Sequence, residues 1–267
     1  MVAFPNAKIN IGLHVTERRG DGYHNLETVF YPVAVHDVVE VVEAPELKLT
    51  SSGIGIPGDL NGNLCIKAYQ LLAEDHDIPL VHIHLHKHIP IGAGLGGGSS
   101  DAAFFLKLMN TKFALGLTEV AMEAYCRRLG ADCAFFIKNK PVFAFGKGDE
   151  FKEVTLDLSS FHLVLVKPGA HVSTGEAYRG VQPRVPPVSL AEVIKKPVAE
   201  WKDFIRNDFE ASVFKDYPSI RDIKAALYDA GALYASMSGS GSSVYGIFET
   251  KPELSALETH NLVFYGV

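Results

Sequence analysis

Cysteine is scarce in this chain: Cys65, Cys126 and Cys133 stand far apart in 267 residues. An odd, scattered set of thiols matches neither a disulfide framework nor a zinc spacing, so reduced thiols and a cytoplasmic location are expected. Long hydrophobic runs are also missing. No segment reaches the roughly 18 unbroken apolar residues of a membrane span. The N-terminus, Met1-Val2-Ala3-Phe4-Pro5-Asn6, lacks the charged start and apolar core of a signal peptide. Positive charge is not in excess, with 25 Lys and Arg against 31 Asp and Glu, a net charge of −6. That balance argues against a general nucleic-acid binder and leaves room for a small anionic partner, because local fields outweigh the total. Neither repeats nor low-complexity segments occur. What is present is a 47% hydrophobic chain, enough for one large domain or two of ordinary size.

Glycine is abundant in one place. Pro90-Ile91-Gly92-Ala93-Gly94-Leu95-Gly96-Gly97-Gly98-Ser99-Ser100 carries five of the 24 glycines within seven residues, then two hydroxyls. Val81 to Lys87 before it alternates like a strand. After it, Ala102, Ala103, Phe105, Leu106 and Met109 recur at helical spacing. A glycine loop entering a helix can hold phosphate: its backbone wraps closely, and the first helical N–H groups point outward at the positive end of the dipole. The plain alternative is a flexible turn. A Walker A loop is excluded by Gly98-Ser99 where Lys-Ser is required. A dinucleotide fingerprint fits poorly, because no second strand ending in an acid follows.

Along the rest of the chain, Ala7 to Leu13 alternates so that Lys8 and Asn10 share a strand face opposite Ala7, Ile9, Ile11 and Leu13. A turn follows at Arg18 to Gly22, then Tyr23 and His24. Val29–Val35 and Val38–Val42 read as strands and residues 50–63 as a Gly-rich connection. Asn63 is placed to cap a helix over 64–74 with Leu64, Ala68, Leu71 and Leu72 on one face. His82, His84 and His86 share a strand face; without an acidic or thiol partner they read as a solvated face, not a metal site. Thr118-Glu119 opens a helix closed by Arg127, Arg128 and a Gly130 stop. Asp132, just beyond, is either the cap of a short helix or a chemical carboxylate. Strands are expected at 142–146 and 154–156, around the turn at 146–149. A composition shift then divides the chain into residues 1–150 and 151–267. In the second part, 161–166 reads as a strand and 183–187 as a loop. Residues 190–214 read as mostly helical with a break at Pro197. Residues 218–230 form an amphipathic helix with Ile220, Ile223, Leu227 and Ala230 on one face. The loop Ser238-Gly239-Ser240-Gly241 leads into a strand at 244–248, and the chain ends in a strand at 262–265.

The lysine strand Pro5-Asn6-Ala7-Lys8-Ile9-Asn10, Asp21-Gly22-Tyr23-His24, the first glycine loop, Gly130-Ala131-Asp132, Asn207-Asp208-Phe209-Glu210 and Ser238-Gly239-Ser240-Gly241 together resemble the GHMP kinases over nearly the full length. Asp-Gly-Tyr-His beside the lysine strand is most similar to the branch that acts on a cytidine-diphosphate ester of methylerythritol. Departures are small: Asn6 where Pro or Ser is frequent, Asp101 where Asn is frequent, and Phe209 where Leu is frequent. The resemblance implies an α+β fold of two domains, an N-terminal one like ribosomal protein S5 domain 2 and a C-terminal α/β sandwich, with substrate in the cleft between. It implies ATP and Mg²⁺ as cofactors, and a monomer or weak homodimer whose partner is the small-molecule substrate. Pro90, Gly92, Gly94, Leu95, Gly96, Gly97, Gly98, Ser99 and Ser100 are the implied phosphate-binding residues, with Asn63 near adenine. Ser99 or Ser100 stands near Mg²⁺, and no residue is assigned as its direct ligand. Tyr23 and Tyr178 flank the cytosine, His24 reads its edge, and Phe30 is near the ribose. Asn10, Gly239 and Ser240 complete the implied substrate site. Asp132 receives the hydroxyl proton with Lys8 beside it. Another GHMP acceptor, or a non-catalytic nucleotide-binding protein on the same fold, are the alternatives. The tyrosines argue against the first, and the presence of both Lys8 and Asp132 argues against the second.

Overall fold

The computed structural model describes residues 1–267. In chain order the first elements are β1 (Val2–Ala3), β2 (Asn6–Arg18), β3 (His24–His36), β4 (Val38–Glu43), β5 (Lys48–Gly53), α1 (Leu64–Asp75) and β6 (Val81–Lys87). Then come α2 (Gly97–Lys112), α3 (Glu119–Leu129), α4 (Phe135–Lys138), β7 (Val142–Phe145), β8 (Glu150–Glu153), β9 (His162–Pro168), α5 (Thr174–Arg179), α6 (Leu190–Val193) and α7 (Trp201–Phe204). The last are α8 (Glu210–Asp216), α9 (Pro218–Asp229), β10 (Tyr234–Met237), β11 (Val244–Phe248), α10 (Ser255–Glu258) and β12 (Asn261–Tyr265). Mixed helix and sheet of this kind is the expected α+β class. Two compact units result: one of residues 1–7, 35–91 and 96–140, the other of residues 8–34, 92–95 and 141–267.

The first unit has a four-stranded sheet in the order β1-β4-β6-β5. β6 alternates as its sequence predicts, and Val81, Ile83 and Leu85 are fully buried. α1 starts where Asn63 accepts the Cys65 N–H at 2.9 Å, and it buries Ala68 and Leu72 together with Cys65, Ile66 and Tyr69. Leu64 and Leu71 lie only half-buried on its flank. The Gly-rich connection hides a strand. β5 lies parallel to β6, and its Thr50 and Ser52 hydroxyls bridge His82, His84 and His86 at 2.9–3.0 Å. Partners from a distant parallel neighbour leave no local signal, which is why the polar residues 50–53 of β5 read as part of the connection. α3 opens at Thr118-Glu119 as expected, with Thr118 as its cap, but Gly130 at its end has φ 174°, ordinary extended backbone that needs no glycine.

The second unit holds two sheets, ordered β2-β3-β7-β8 and β10-β11-β9-β12. From Asn6 to Val15, β2 is buried on both faces, the one that carries Lys8 and Asn10 included. The strand expected at 154–156 lies earlier, at β8, because the four-residue turn after Phe145 pairs Phe145 with Glu150. Residues 190–214 are not one broken helix. Between α7 and α8 the chain runs extended, and Asn207 bridges Leu13 of β2. β10 carries no strong period and escapes sequence reading, yet it pairs antiparallel with β11. α9 begins with Pro218 at its first turn and buries Ile220, Ile223 and Leu227; Ala230 lies past its end and is exposed. Those three side chains join Leu13, Val164, Phe209 and Val244 in one core, each contributing ~1.5–3 kcal/mol if large and fully buried.

Candidate active site

β2 brings Lys8 and Asn10 side by side. The Lys8 ammonium donates to Asn10 Oδ1 at 2.6 Å and to the Gly94 carbonyl at 3.2 Å, and it lies 4.8 Å from the centre of the Phe30 ring. Both residues are almost fully buried, and Asn10 in turn donates to Thr28 at 3.0 Å. A buried ammonium is costly unless its donors are occupied. Here the Asn10 amide oxygen and the Gly94 carbonyl accept from it.

The two glycine loops cross beside this lysine. Gly94 has φ 77°, and a Cβ on it would sit 1.9 Å from the Ser238 carbonyl oxygen, so only glycine lets the two backbones approach. The Ser238 hydroxyl donates to the Gly94 carbonyl at 2.9 Å and accepts the Asn10 N–H at 3.1 Å. Gly239, beside Gly94, lies close to Asn10 Oδ1. Asn207 holds the late loop from below, donating to the carbonyls of Met237 at 2.9 Å and Gly239 at 2.8 Å. Asp208 accepts the Val15 N–H, while Glu210 accepts the Met237 N–H. The Asn-Asp-x-Glu motif is therefore a clamp on β2 and on the loop.

Tyr178 stacks on His24 with centroids 4.8 Å apart and planes 22° apart, and its edge meets Phe209. Tyr23 is 63% exposed, with Lys147 Nζ 5.4 Å from its ring centre. The structure thus brings His24 and Tyr178 into direct contact. Ser240 Oγ lies 3.3 Å from Thr174 Oγ1 at the start of the same helix as Tyr178.

In the first unit the loop becomes helix at Gly96, whose φ of 69° turns the chain into α2. The Ser100 N–H makes the first helical bond, to the Gly96 carbonyl at 2.9 Å, leaving the amides of Gly97, Gly98 and Ser99 ahead of it. A Cβ on Gly98 would meet nothing within 4 Å. The Ser100 hydroxyl is fully buried without a hydrogen-bond partner. Asp132 lies on the turn between α3 and α4. Ala134, not Asp132, occupies the cap position of α4, and Asp132 adjoins the buried Cys133. Asn63 is engaged as the cap of α1, and Pro90 is buried just ahead of the loop.

A charge cluster that sequence reading missed lies beneath the loop. Lys87, at the end of β6, donates to Asp37 and to Asp101 Oδ2, the latter at 2.8 Å. Asp37 also accepts the N–H groups of His88 at 2.5 Å and Ile89 at 2.8 Å. Burial is the main influence on Asp101; Lys87 opposes it and Asp37 reinforces it, so the carboxyl is pushed up to about 7. Burial disfavours the charge on Lys87, but the two carboxylates outweigh it and raise its pKa. The one sequence signal was Asp101 itself, an acid where the resembling family often has an amide.

Known proteins resemble this chain over nearly its whole length. The model of the GHMP kinases N terminal domain matches residues 63–140, and that of the GHMP kinases C terminal matches residues 189–260. The 4-diphosphocytidyl-2-C-methyl-D-erythritol kinase of Bacteroides fragilis (strain YCH46) is 54% identical over 262 residues, covering 97% of this chain and 96% of its own. The protein of the same name in Bacteroides thetaiotaomicron is 53% identical over 99% of this chain and 98% of its own. A crystal structure of 4-(cytidine 5'-diphospho)-2C-methyl-D-erythritol kinase superposes with a TM-score of 0.83 at 30% identity, covering 100% of this chain and 98% of that one. Homoserine kinase from Cytophaga hutchinsonii, at 16% identity and a TM-score of 0.63, shares the fold. With both family models matched and more than half of the residues identical to such relatives end to end, the chain belongs to the GHMP kinases, in the family of 4-diphosphocytidyl-2-C-methyl-D-erythritol kinases.

Proposed function

We propose that this chain transfers the γ-phosphoryl of ATP to the 2-hydroxyl of 4-diphosphocytidyl-2-C-methyl-D-erythritol, giving the 2-phosphate and ADP in non-mevalonate isoprenoid precursor biosynthesis. The observation that carries the reading is the His24–Tyr178 stack in the same unit as the Lys8–Asn10 pair. An aromatic and an imidazole in face contact suit a planar base, which homoserine, mevalonate and sugars do not have. Cytosine entering beside Tyr178 has His24 at its edge and Tyr23 on the exposed side. Phe30, Asn10, Gly239 and Ser240 serve the remainder of the substrate.

Phosphoryl transfer needs positioning and charge neutralisation more than covalent chemistry. The glycine-rich residues 92–98 and the amides opening α2 suit a triphosphate, and the open space at Gly98 leaves room for it. No group of three His, Cys, Asp or Glu side chains converges to hold a metal. Mg²⁺ therefore fits as an ion carried on the nucleotide, near Ser99 or the buried Ser100 hydroxyl, where it neutralises phosphate charge. Lys8 stabilises the transferring group. Asp132 orients the acceptor hydroxyl and takes its proton late, since an alcohol is far less acidic than a carboxylic acid. Residues 1–150 serve as the ATP-binding part and 151–267 as the C-terminal part, with the two family models falling on either side of that boundary. The enzyme works in the cytoplasm, as its three buried free thiols suit, as a monomer or weak homodimer. No helix is long and apolar enough to cross a membrane. A coupled assay of ADP release over a panel of acceptors tests the reading. Turnover is expected with the cytidine substrate alone; turnover with homoserine, mevalonate or galactose in its place overturns it.

A further inference from the structure

Two cavities of the second unit adjoin one another and contain none of the residues proposed for ATP or the acceptor. One, of about 590 Å³, is lined by Arg184, Lys202, Arg206 and Lys224. The other, of about 480 Å³, shares Arg184 and Arg206 and is otherwise walled largely by apolar side chains. The acids of the first cavity are already committed. Glu210 holds Lys224 at 2.7 Å and the Met237 N–H at 2.9 Å. Asp208 holds the Val15 N–H at 2.9 Å and lies 3.6 Å from His14. The second cavity has one acid, Asp203, together with His14 and the two arginines. Arg184, Lys202 and Arg206 take part in none of the ion pairs, and with Lys224 they outnumber the carboxylates Asp203, Asp208 and Glu210 of the two cavities, so this corner is locally positive on a chain whose net charge is −6.

Beside that charge lies unusual apolar exposure. Val185 is 78% exposed, Val188 51% and Phe204 47%, and all three line the second cavity. Single exposed hydrophobic residues are ordinary; three converging on one cavity next to two unpaired guanidinium groups are not. The setting is also rigid. The Arg184 N–H donates to the Val15 carbonyl, and the Leu13 N–H donates to the Arg206 carbonyl, both at 2.9 Å, so each arginine is stitched at its backbone to β2. Pro183 before Arg184 and Pro186 and Pro187 after it restrict the backbone there.

We propose that these cavities form a second ligand site, for a small phosphate monoester or diphosphate with a short aliphatic body. The anionic head lies between Arg184 and Arg206, and the body covers Val185, Val188 and Phe204. Guanidinium suits phosphate through paired N–H donors, and the apolar wall adds affinity in proportion to the area it covers. Such a ligand is an effector rather than a substrate, because no proposed reacting group lines either cavity.

The test is calorimetric titration of the full chain saturated with a non-hydrolysable ATP analogue, so that the glycine loop is already filled. Inorganic phosphate, 1-hexanol and n-hexyl phosphate are the probes. Each buried methylene is worth about fourfold in affinity, so n-hexyl phosphate should bind at least about tenfold tighter than phosphate. R184Q/R206Q should weaken it by at least about tenfold, with circular dichroism confirming the fold. V185D, at a mostly exposed position, serves as a second variant and should weaken n-hexyl phosphate more than phosphate. Equal binding of phosphate and n-hexyl phosphate, undiminished binding by either variant, or no binding at all overturns the proposal. The readout is binding, so its failure is separate from any failure of the kinase reading.

Discussion

The Lys8 ammonium is in use before any substrate arrives, held by Asn10 and the Gly94 carbonyl over the Phe30 ring. Its position is thus set by the fold, as catalysis by electrostatic preorganisation requires. Asp132→Asn keeps size and most hydrogen bonding but loses the proton acceptor, so kcat should fall by about 10²–10⁴ with both substrates still bound. Lys8→Met should also depress kcat, and if the two residues serve the same step, as proposed, the double variant should be little worse than the poorer single one. Single-turnover and steady-state kinetics on the three variants check this. Near wild-type turnover by Asp132→Asn removes the base from Asp132. A cap explanation of that residue is weakened by Ala134 holding the cap position of α4. For Tyr178, stacked on His24 and edge-on to Phe209, the Ala variant should lose roughly 1–3 kcal/mol of binding to the cytidine substrate and leave the KM for ATP unchanged. An unchanged KM for the cytidine substrate takes Tyr178 out of the site.

Two elements meet at the glycine loop, and glycines only a few residues apart have different work. Gly94 is required by packing: its φ of 77° and the 1.9 Å approach of Ser238 O to a built Cβ mean that Gly94→Ala should lower Tm by displacing the 238–243 loop. Gly98 has no such constraint, and it lies in the first turn of α2. Gly98→Ala should leave Tm level or higher, since Ala favours helix by ~0.8–1 kcal/mol, while raising the KM for ATP if phosphate approaches there. An unaltered KM for ATP in this folded variant makes the loop a structural turn. β6 and α2 are joined by Lys87 between Asp37 and Asp101. Asp101 is shifted upward, from 3.8 to about 7, so between those values the folded state binds more protons than the unfolded one. Stability should therefore fall as pH rises from about 4 to 7, by at most ~1.4 kcal/mol per pH unit from this group. Lys87, with its pKa raised, stays charged in both states throughout that window and adds no slope. Asp101 Oδ1 is buried without a partner, which adds to the cost of the charged form. Denaturant midpoints measured from pH 5 to 8 should fall less steeply for Asp101→Asn than for the parent. Parallel slopes would remove Asp101 as the cause.

At the scale of the whole molecule, the three thiols are buried and unpaired, and burial pushes each one up, Cys133 to about 11. A thiol reagent at pH 8 should label them only on unfolding, and reductant should leave Tm unchanged. Rapid labelling of the native protein would contradict the packing. By itself the sequence determined the elements whose signals are local: the 3.6-residue spacing of Ile220, Ile223 and Leu227, the Asn63 and Thr118 caps, the alternation of β6, and a glycine loop running into a helix. The motifs that identify the family are local too, each short enough to read in one stretch. Tertiary structure alone decided what depends on residues far apart in the chain. The polar strand β5 exists because β6 lies beside it, and β10 because β11 pairs with it. Lys8 and Asn10 are buried because both faces of β2 are covered. Lys87 finds Asp37 across 50 residues and Asp101 across 14. Asn207 reaches Gly239, and Gly94 must be glycine only because Ser238 passes over it. Periodicity and capping are energies between neighbours a few residues apart, so a sequence displays them. Burial, charge pairing and close backbone approach are energies between neighbours in space, and those exist only once the chain has folded.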